Sequence, residues 1–376
     1  MDGYAARAAD VLGASRDRPR VLHVVETIPA GTFPTRALGP GECARIFTGA
    51  PLPEGADSVI RQEDTAPVPA AQGSSPVATP AVSILSDRDA GLNIRRAGED
   101  IRKGEHVLEP GTELGPAHLG VLASLAVAHP LVHRRPRVAI LASGDEIADL
   151  DQADEILGGR KIASSNTHTL LALIQRAGGI PVNLGIAADT VESLRDHLRR
   201  GQDCDLLVTT AGISVGEHDH LRAAIEAEGG EIRFWKLRMR PGAPVAYGRV
   251  YGLPWIGLPG NPVSTMVTFE LFVRPAIRRM LGHRFPFRAT TRVRVGERIV
   301  LKPRLQHFLR AAVAEEEGQA VPAARLAGPQ GSGILTSMVR ANALLIIPEG
   351  QHETPEGALA DALLFDQTRH VADPPW

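Results

Sequence analysis

Residues 137–143, RVAILAS, form a continuous apolar run of strand length, and the reading of this run decides the fold. A strand with one wet face alternates apolar and polar residues. A run that is apolar throughout has both faces covered, as in parallel sheets flanked by helices. The chain after it alternates accordingly. SNTHTLLALIQRA (165–177) has helical spacing and stops at Gly178-Gly179. PVNLGIA (181–187) is a second strand, and DTVESLRDHLRR (189–200) is a helix stopped by Gly201. DLLVTT (205–210) is a third strand, and HLRAAIEAE (220–228) is a helix before Gly229-Gly230. PWIGLP (254–259) is a fourth strand, followed by the long helical stretch 264–281. Strand–helix alternation of this kind predicts a doubly wound, mostly parallel α/β layer over residues 135–284.

The flanks have a different texture. VLHVVETI (21–28) and CARIF (43–47) are β-like and punctuated by Pro and Gly, so residues 21–96 are expected to form a β-rich domain. Residues 66–80, APVPAAQGSSPVATP, read as an exposed loop within it. Residues 1–20 and 97–134 read as a linker and helical region, with an apolar helix over 116–128. After residue 285 the segments TTRVRVG, FLRAAVA and ALLIIPE predict a small all-β domain over 285–376.

Composition limits the functions available. The chain has 376 residues, which suggests two or three domains at roughly 150 residues each. Net charge is −2, with both signs interspersed, and aromatics are only 4%, so neither electrostatic gripping nor base stacking of nucleic acid is supported. The two cysteines stand far apart in no paired motif. The longest nearly apolar run, 120–132, is too short to span a bilayer, and no signal-peptide core is present; a cytoplasmic protein is expected.

In open parallel sheets, ligands bind outside the carboxyl ends of the strands. The four strand ends deliver Ser143-Gly144-Asp145-Glu146, Asp189-Thr190, the loop with Gly212, Ser214, Gly216, Glu217 and Asp219, and Gly260-Asn261-Pro262 with Ser264. Each has a plainer reading. Asp189 and Glu192 fit a capping box, and Asp219 fits the cap of the helix beginning near Leu221. His218 and His220 have no third ligand nearby; His129 and His133 are helically spaced but interrupted by Pro130. Walker, dinucleotide and nucleophile-elbow motifs are missing. Lys236, Arg238 and Arg240 alternate, which fits a solvated strand face or a clamp on an oxyanion.

Eight motifs occur together and in order: MDGYA (1–5), RIFTGAPLPEGADSVI (45–60), NIRRAGEDI (93–101), ASGDE (142–146), TTAGISVGEHD (209–219), WKLRMRPGAPVAYG (235–248), GLPGNPVS (257–264) and PQGSG (329–333). Together they resemble the molybdopterin molybdenumtransferase family, which includes the gephyrin E-domain, over essentially the whole chain. The resemblance implies insertion of molybdate into adenylylated molybdopterin, hydrolysis of the phosphoanhydride and release of AMP. It implies Mg2+ as cofactor, a homodimer, and an upstream molybdopterin adenylyltransferase as partner. Carried over by position, Asp189, Asp219 and Glu146 would serve catalysis and the metal. Gly212, Ser214 and Gly216 would hold the pterin phosphate. Arg240, Ser264, Arg310 and Ser332 would bind oxyanions or molybdate, and Lys236 and Pro241 would contact the substrate. Asp2 and Asp100, as further catalytic residues, and Thr48, as a substrate contact, would come from the side of the β-rich lid domain, in the family from the partner subunit. Relatives carry a helical stretch ahead of M-D-G-Y, so the chain is expected to be truncated there. Ala211 stands where the family has glycine, and Arg240 and Ala243 where it has lysines. Competing readings are a molybdopterin adenylyltransferase, which shares only the central layer, and a pterin-binding scaffold without turnover.

Overall fold

The computed structural model describes residues 1–68, 80–211, 220–302 and 304–365, and the chain divides into two compact units, Met1–Val107 and Leu108–Trp376. The first unit holds β1 (Gly3–Ala6), α1 (Ala8–Val11), β2 (Arg20–Ile28), β3 (Glu42–Ile46), β4 (Ser58–Arg61), β5 (Thr65–Pro67) and β6 (Ala81–Ile84). They form one sheet in the order β4-β1-β3-β2-β6-β5. Residues 3–6, expected in a linker or helical segment, are instead a strand between β3 and β4. Gly3 permits this: a methyl there would meet the Ile60 carbonyl oxygen at 2.0 Å. Val11, Leu22, Ile60, Val82 and Ile84 pack into one cluster, and Ala5, Ile28, Ala44, Ile46 and Val59 into another.

The second unit begins with α2 (Pro116–Ser124), none of whose residues is buried. Next come β7 (Arg137–Ser143), β8 (Ile147–Ala148), α3 (Ala153–Leu157), β9 (Ile162–Ala163), α4 (Ser165–Arg176) and β10 (Ile180–Ala187). They are followed by α5 (Val191–Arg199), β11 (Leu206–Thr210), α6 (His220–Ala227), β12 (Glu231–Phe234), β13 (Met239–Arg240), β14 (Ala246–Val250) and β15 (Leu253–Leu258). The sheet order is β10-β7-β11-β15-β14-β12, parallel from β10 to β15 and antiparallel at β14 and β12.

Alternation along β7 explains the two layers. Val138 and Ile140 pack with Leu170 and Ile174 of α4 and with Phe269, Val273 and Ile277. Ala139 and Leu141 pack on the opposite face with Leu194 and Leu198 of α5 and with Leu221 and Ile225 of α6. The long helical stretch after β15 is not uniform: α7 (Pro262–Thr268) passes through a π-helical segment, Phe269–Val273, into α8 (Arg274–Met280). No helix among the described residues is long and apolar enough to cross a membrane.

The C-terminal part of this unit holds β16 (Thr290–Val295), β17 (Ile299–Val300), β18 (Gln306–Ala314), β19 (Ala323–Leu326), α9 (Thr336–Arg340), β20 (Ala343–Ile347), β21 (Glu353–Thr354) and β22 (Leu359–Leu364). The order is β13-β18-β19-β16-β22-β20, and an added β18–β20 pairing closes the last five strands into a ring. Full closure leaves those strands no free edge. The ring is attached to the α/β layer by backbone and by apolar contact. β13 pairs with β18, and Met239, Val263 and Val267 pack with Phe308, Met338, Leu344 and Leu363.

Glu228, just after α6, ties one helical layer together. Its carboxylate accepts from Arg195 Nε at 2.6 Å, Arg199 Nη2 at 2.9 Å and Tyr251 Oη at 2.8 Å. The Arg199 and Arg195 hydrogen bonds hold its pKa down to about 2. Its unfolded value is near ~4.3. The stabilisation is therefore complete above about pH 5 and is lost as pH falls toward ~2. Glu228→Gln is expected to flatten the acid limb of a urea-stability profile over that window and to lower stability at neutral pH. An unchanged limb would refute the clamp.

Ala211, immediately after β11, has φ +70°, the left-handed region that glycine occupies without strain. Ala211→Gly is expected to stabilise the protein by about 1 kcal/mol. The check is a higher urea midpoint at constant slope.

Candidate active site

The first two strand ends meet at the carboxyl edge of the sheet. β7 is followed by Gly144, with φ +139°, where a methyl would lie 2.7 Å from Glu146 Oε2. Only glycine fits this turn, and it leaves the Asp145 and Glu146 side chains exposed. Asp189 follows β10, and its backbone N–H donates to Asp145 Oδ1 at 3.2 Å, so the two acidic segments are in direct contact. The expected capping box at Asp189 is not formed. Thr190 is the cap of α5, its hydroxyl accepting from the Ser193 N–H at 3.2 Å. Asp189, exposed, is thereby free for other work. β8 and β9 pair in parallel beneath the turn, and Lys161 Nζ donates to the Asp145 carbonyl. The result is an open hollow of about 630 Å³ lined by Gly144, Asp145, Lys161, Ala187 and Ala188. A second hollow of about 600 Å³, among Phe234, Tyr247, Phe272 and Phe287, is apolar and lies by the antiparallel edge. It offers little to an oxyanion.

The third and fourth strand ends are linked by side-chain hydrogen bonds that sequence reasoning missed. Asn166 Nδ2 donates to Thr210 Oγ1 at 2.9 Å and to the Gly260 carbonyl at 2.7 Å. Gly212, Ser214, Gly216 and Asp219 lie outside the described residues, as do Glu217 and His218. His133 packs against Gly282: a methyl on that glycine would touch the imidazole at 2.3 Å.

A basic corner lies at the junction with the C-terminal ring. Lys236, Arg238 and Arg240 are all exposed, but only Met239–Arg240 is strand, so the expected alternating strand face is reduced to two residues. Arg238 pairs with Glu349 at 3.2 Å. Pro241 is buried, and Gly242 lies so close to α7 that a methyl would meet Thr268 Cγ2 at 2.4 Å. Ser264 is buried in the first turn of α7. The preceding residue, Val263, donates its N–H to the Ser332 carbonyl at 3.0 Å, bringing the two serine segments together. Arg310 is wholly buried. Its guanidinium donates to Ser337 Oγ at 3.1 Å and to the carbonyls of Pro329 and Gly331 at 3.1 and 2.9 Å. Burial pushes its pKa down, and none of these partners is a carboxylate. The side chain expected to touch an oxyanion is thus engaged in shaping the loop that presents Ser332.

Within the first unit, Asp2 Oδ1 accepts from both the backbone N–H and the hydroxyl of Thr48, each at 2.9 Å. Those bonds hold the Asp2 carboxyl below its usual range. Asp100 is exposed in the segment after β6. Among the described residues no group of three His, Cys, Asp or Glu side chains forms a metal cage.

Three family models match the chain in order: the MoeA N-terminal region (domains I and II) over residues 1–126, a probable molybdopterin binding domain over 139–279, and the MoeA C-terminal region (domain IV) over 292–365. Molybdopterin molybdenumtransferase 2 of Mycobacterium tuberculosis is 36% identical over 363 residues, covering 95% of this chain and 85% of its own. Molybdopterin molybdenumtransferase of Bacillus subtilis is 33% identical over 376 residues, covering 100% of this chain and 85% of its own. Two crystal structures of the molybdopterin biosynthesis MoeA protein from Pyrococcus horikoshii superpose with TM-scores of 0.77 and 0.74. They are 31% and 28% identical and cover 98% and 97% of this chain and 87% and 86% of their own. With motifs, domain order and relatives in agreement along nearly its whole length, the chain belongs to the molybdopterin molybdenumtransferase family.

Proposed function

We propose that this chain inserts molybdate into adenylylated molybdopterin and releases AMP, the final step of molybdenum cofactor synthesis. The observation that carries the site assignment is the contact between the Asp145 and Asp189 segments at the carboxyl edge, in the unit that also holds the Ser264–Ser332 corner. The first supplies carboxylates to a phosphoanhydride. The second supplies hydroxyls and, through Arg240, a cation to a tetrahedral dianion. The adenylyltransferase and scaffold readings are not favoured. The relatives along nearly the full chain are named as molybdenumtransferases, and MoeA regions match on both sides of the central layer.

Each residue has a role in this reading. Asp189 orients the attacking water and takes its proton. The loop with Gly212, Ser214 and Gly216 holds the pterin phosphate through backbone N–H groups. Arg240 and Ser264 bind the oxyanion, with Ser332 beside them, Pro241 fixing the backbone and Lys236 adding charge. Arg310 acts through the 329–333 loop. The proposed donor set of Glu146, Asp189 and Asp219 has the chemistry that suits magnesium, which is held by one or two carboxylates together with water and substrate phosphate. When bound, the ion would offset the negative charge of the phosphoanhydride. Asp2, Thr48 and Asp100 belong to the same proposal, as lid residues of a homodimer, as does an upstream adenylyltransferase supplying the substrate. A cytoplasmic location completes the reading.

The test mixes protein, magnesium and adenylylated molybdopterin, then adds molybdate and measures AMP. Molybdate-dependent release is expected, reduced about 100-fold or more in Asp189→Asn while substrate binding persists. Release that ignores molybdate, ATP consumption with free molybdopterin, or binding without release would each refute the assignment.

A further inference from the structure

We infer that Asn166 is a positioning residue: its amide holds the end of β11, at Thr210, and the bend after β15, at Gly260, at a fixed separation, and metal insertion depends on that separation. This rests on the function proposed above and extends it to a residue outside the carried-over site.

Asn166 is the second residue of α4, far in sequence from both partners. One planar amide bridges two strand ends, donating one hydrogen to Thr210 Oγ1 and the other to the Gly260 carbonyl. The chain of bonds continues. Thr210 Oγ1, having accepted from Asn166, donates to the Pro259 carbonyl at 3.3 Å, which also accepts from Thr265 Oγ1 at 2.6 Å. Thr210 and Thr265 are buried, at 1% and 0% exposure, so water is kept from the two threonine bonds to Pro259, while the Asn166 amide sits at the margin of this network, part-buried toward Thr210 and open to solvent toward Gly260. The two loops touch where they leave the sheet: a methyl on Gly260 would lie 3.4 Å from Ala211 Cβ. One loop continues into the segment proposed to hold the pterin phosphate. The other leads through Asn261 and Pro262 to Ser264, proposed to hold the oxyanion. Transfer of a metal from an oxyanion site to a pterin needs reactants at near-attack distance, where small misplacements cost large factors in rate. The amide sets the spacing between Thr210 and Gly260, from which the two segments depart.

The chemistry of the bridge is specific. The Gly260 carbonyl is only an acceptor, so a side chain can tie it to β11 only by donating. A carboxylate of the same shape offers acceptors alone. Asn166→Asp therefore keeps volume and reverses polarity. Thr210→Val removes the acceptor of the second bond, whereas Thr210→Ser keeps it.

The test measures steady-state molybdate-dependent AMP release and backbone hydrogen–deuterium exchange on the full-length chain, with folding of each variant checked by circular dichroism. Asn166→Asp is expected to lower kcat at least about 30-fold, leaving the KM for adenylylated molybdopterin within about threefold, as loss of alignment rather than of binding predicts. Thr210→Val is expected to lose about tenfold in kcat, and Thr210→Ser to restore the wild-type value. Exchange in peptides covering 206–211 and 259–264 should quicken in Asn166→Asp and Thr210→Val. A wild-type kcat in Asn166→Asp, equal damage by Thr210→Val and Thr210→Ser, or unchanged exchange at those peptides would overturn the inference. If Asn166→Asp does not fold, the Thr210 pair decides. If the wild-type chain releases no AMP, the functional reading fails, and the exchange arm still decides whether Asn166 holds the loops.

Discussion

Neither face of β7 or β11 is open to water. Every residue from Val138 to Ser143 and from Leu206 to Thr210 is buried, because helices cover the sheet on both sides. This burial leaves no place along the strands for a charged group that must meet solvent and substrate. Chemistry is displaced to the carboxyl ends, where the chain leaves the apolar layer and polar groups regain partners. The turn at Gly144, the cap at Thr190, the strained backbone at Ala211 and the bend at Gly260 are all exits from the same layer. The site is a property of how strands end.

The sequence revealed the layer but not the joints between its exits. Apolar runs of strand length, broken by helices and glycines, led directly to the parallel order, because burial on two faces leaves a pattern within a few residues. The antiparallel strands β12 and β14 left a weaker signature: they close one side of the sheet, with β12 at its edge, and the segment between them looked mainly like a basic stretch. The role of Thr190 was hidden because Asp189 and Glu192 satisfy the same local spacing rule; the hydroxyl takes the bond. Asn166 gave no signal at all. Its partners are 44 and 94 residues away, and nothing local distinguishes an asparagine that will bridge two loops from one that will face water.

Arg310 illustrates a different limit. The resemblance to the family led to the expectation that it is an oxyanion ligand, and its charge suits that role. The structure engages it with Ser337 and with the carbonyls of the 329–333 loop. A guanidinium buried without a carboxylate is costly, and carbonyl acceptors offset part of that cost. The departures at Ala211 and Arg240 are of another kind. Ala211 adopts the backbone that glycine would, so the turn is kept at the expense of strain. Arg240 keeps a cation on β13 with a broader, planar head in place of a compact ammonium.

The attachment of the C-terminal ring has a consequence for how this architecture can be taken apart. β13 lies in the chain between strands of the α/β sheet, yet its hydrogen bonds go to β18, and Val263 at the start of α7 is bonded to Ser332 in the ring's own loop. Covalent order and hydrogen-bonded order therefore disagree at this seam. A chimera joined near residue 285, where the sequence texture changes, would exchange the ring while leaving Arg240 and Ser264 with a foreign counterpart. The heritable module is the seam itself: segments 239–242, 262–264, 306–310 and 329–333 must travel together, although a helix and several strands separate them along the chain.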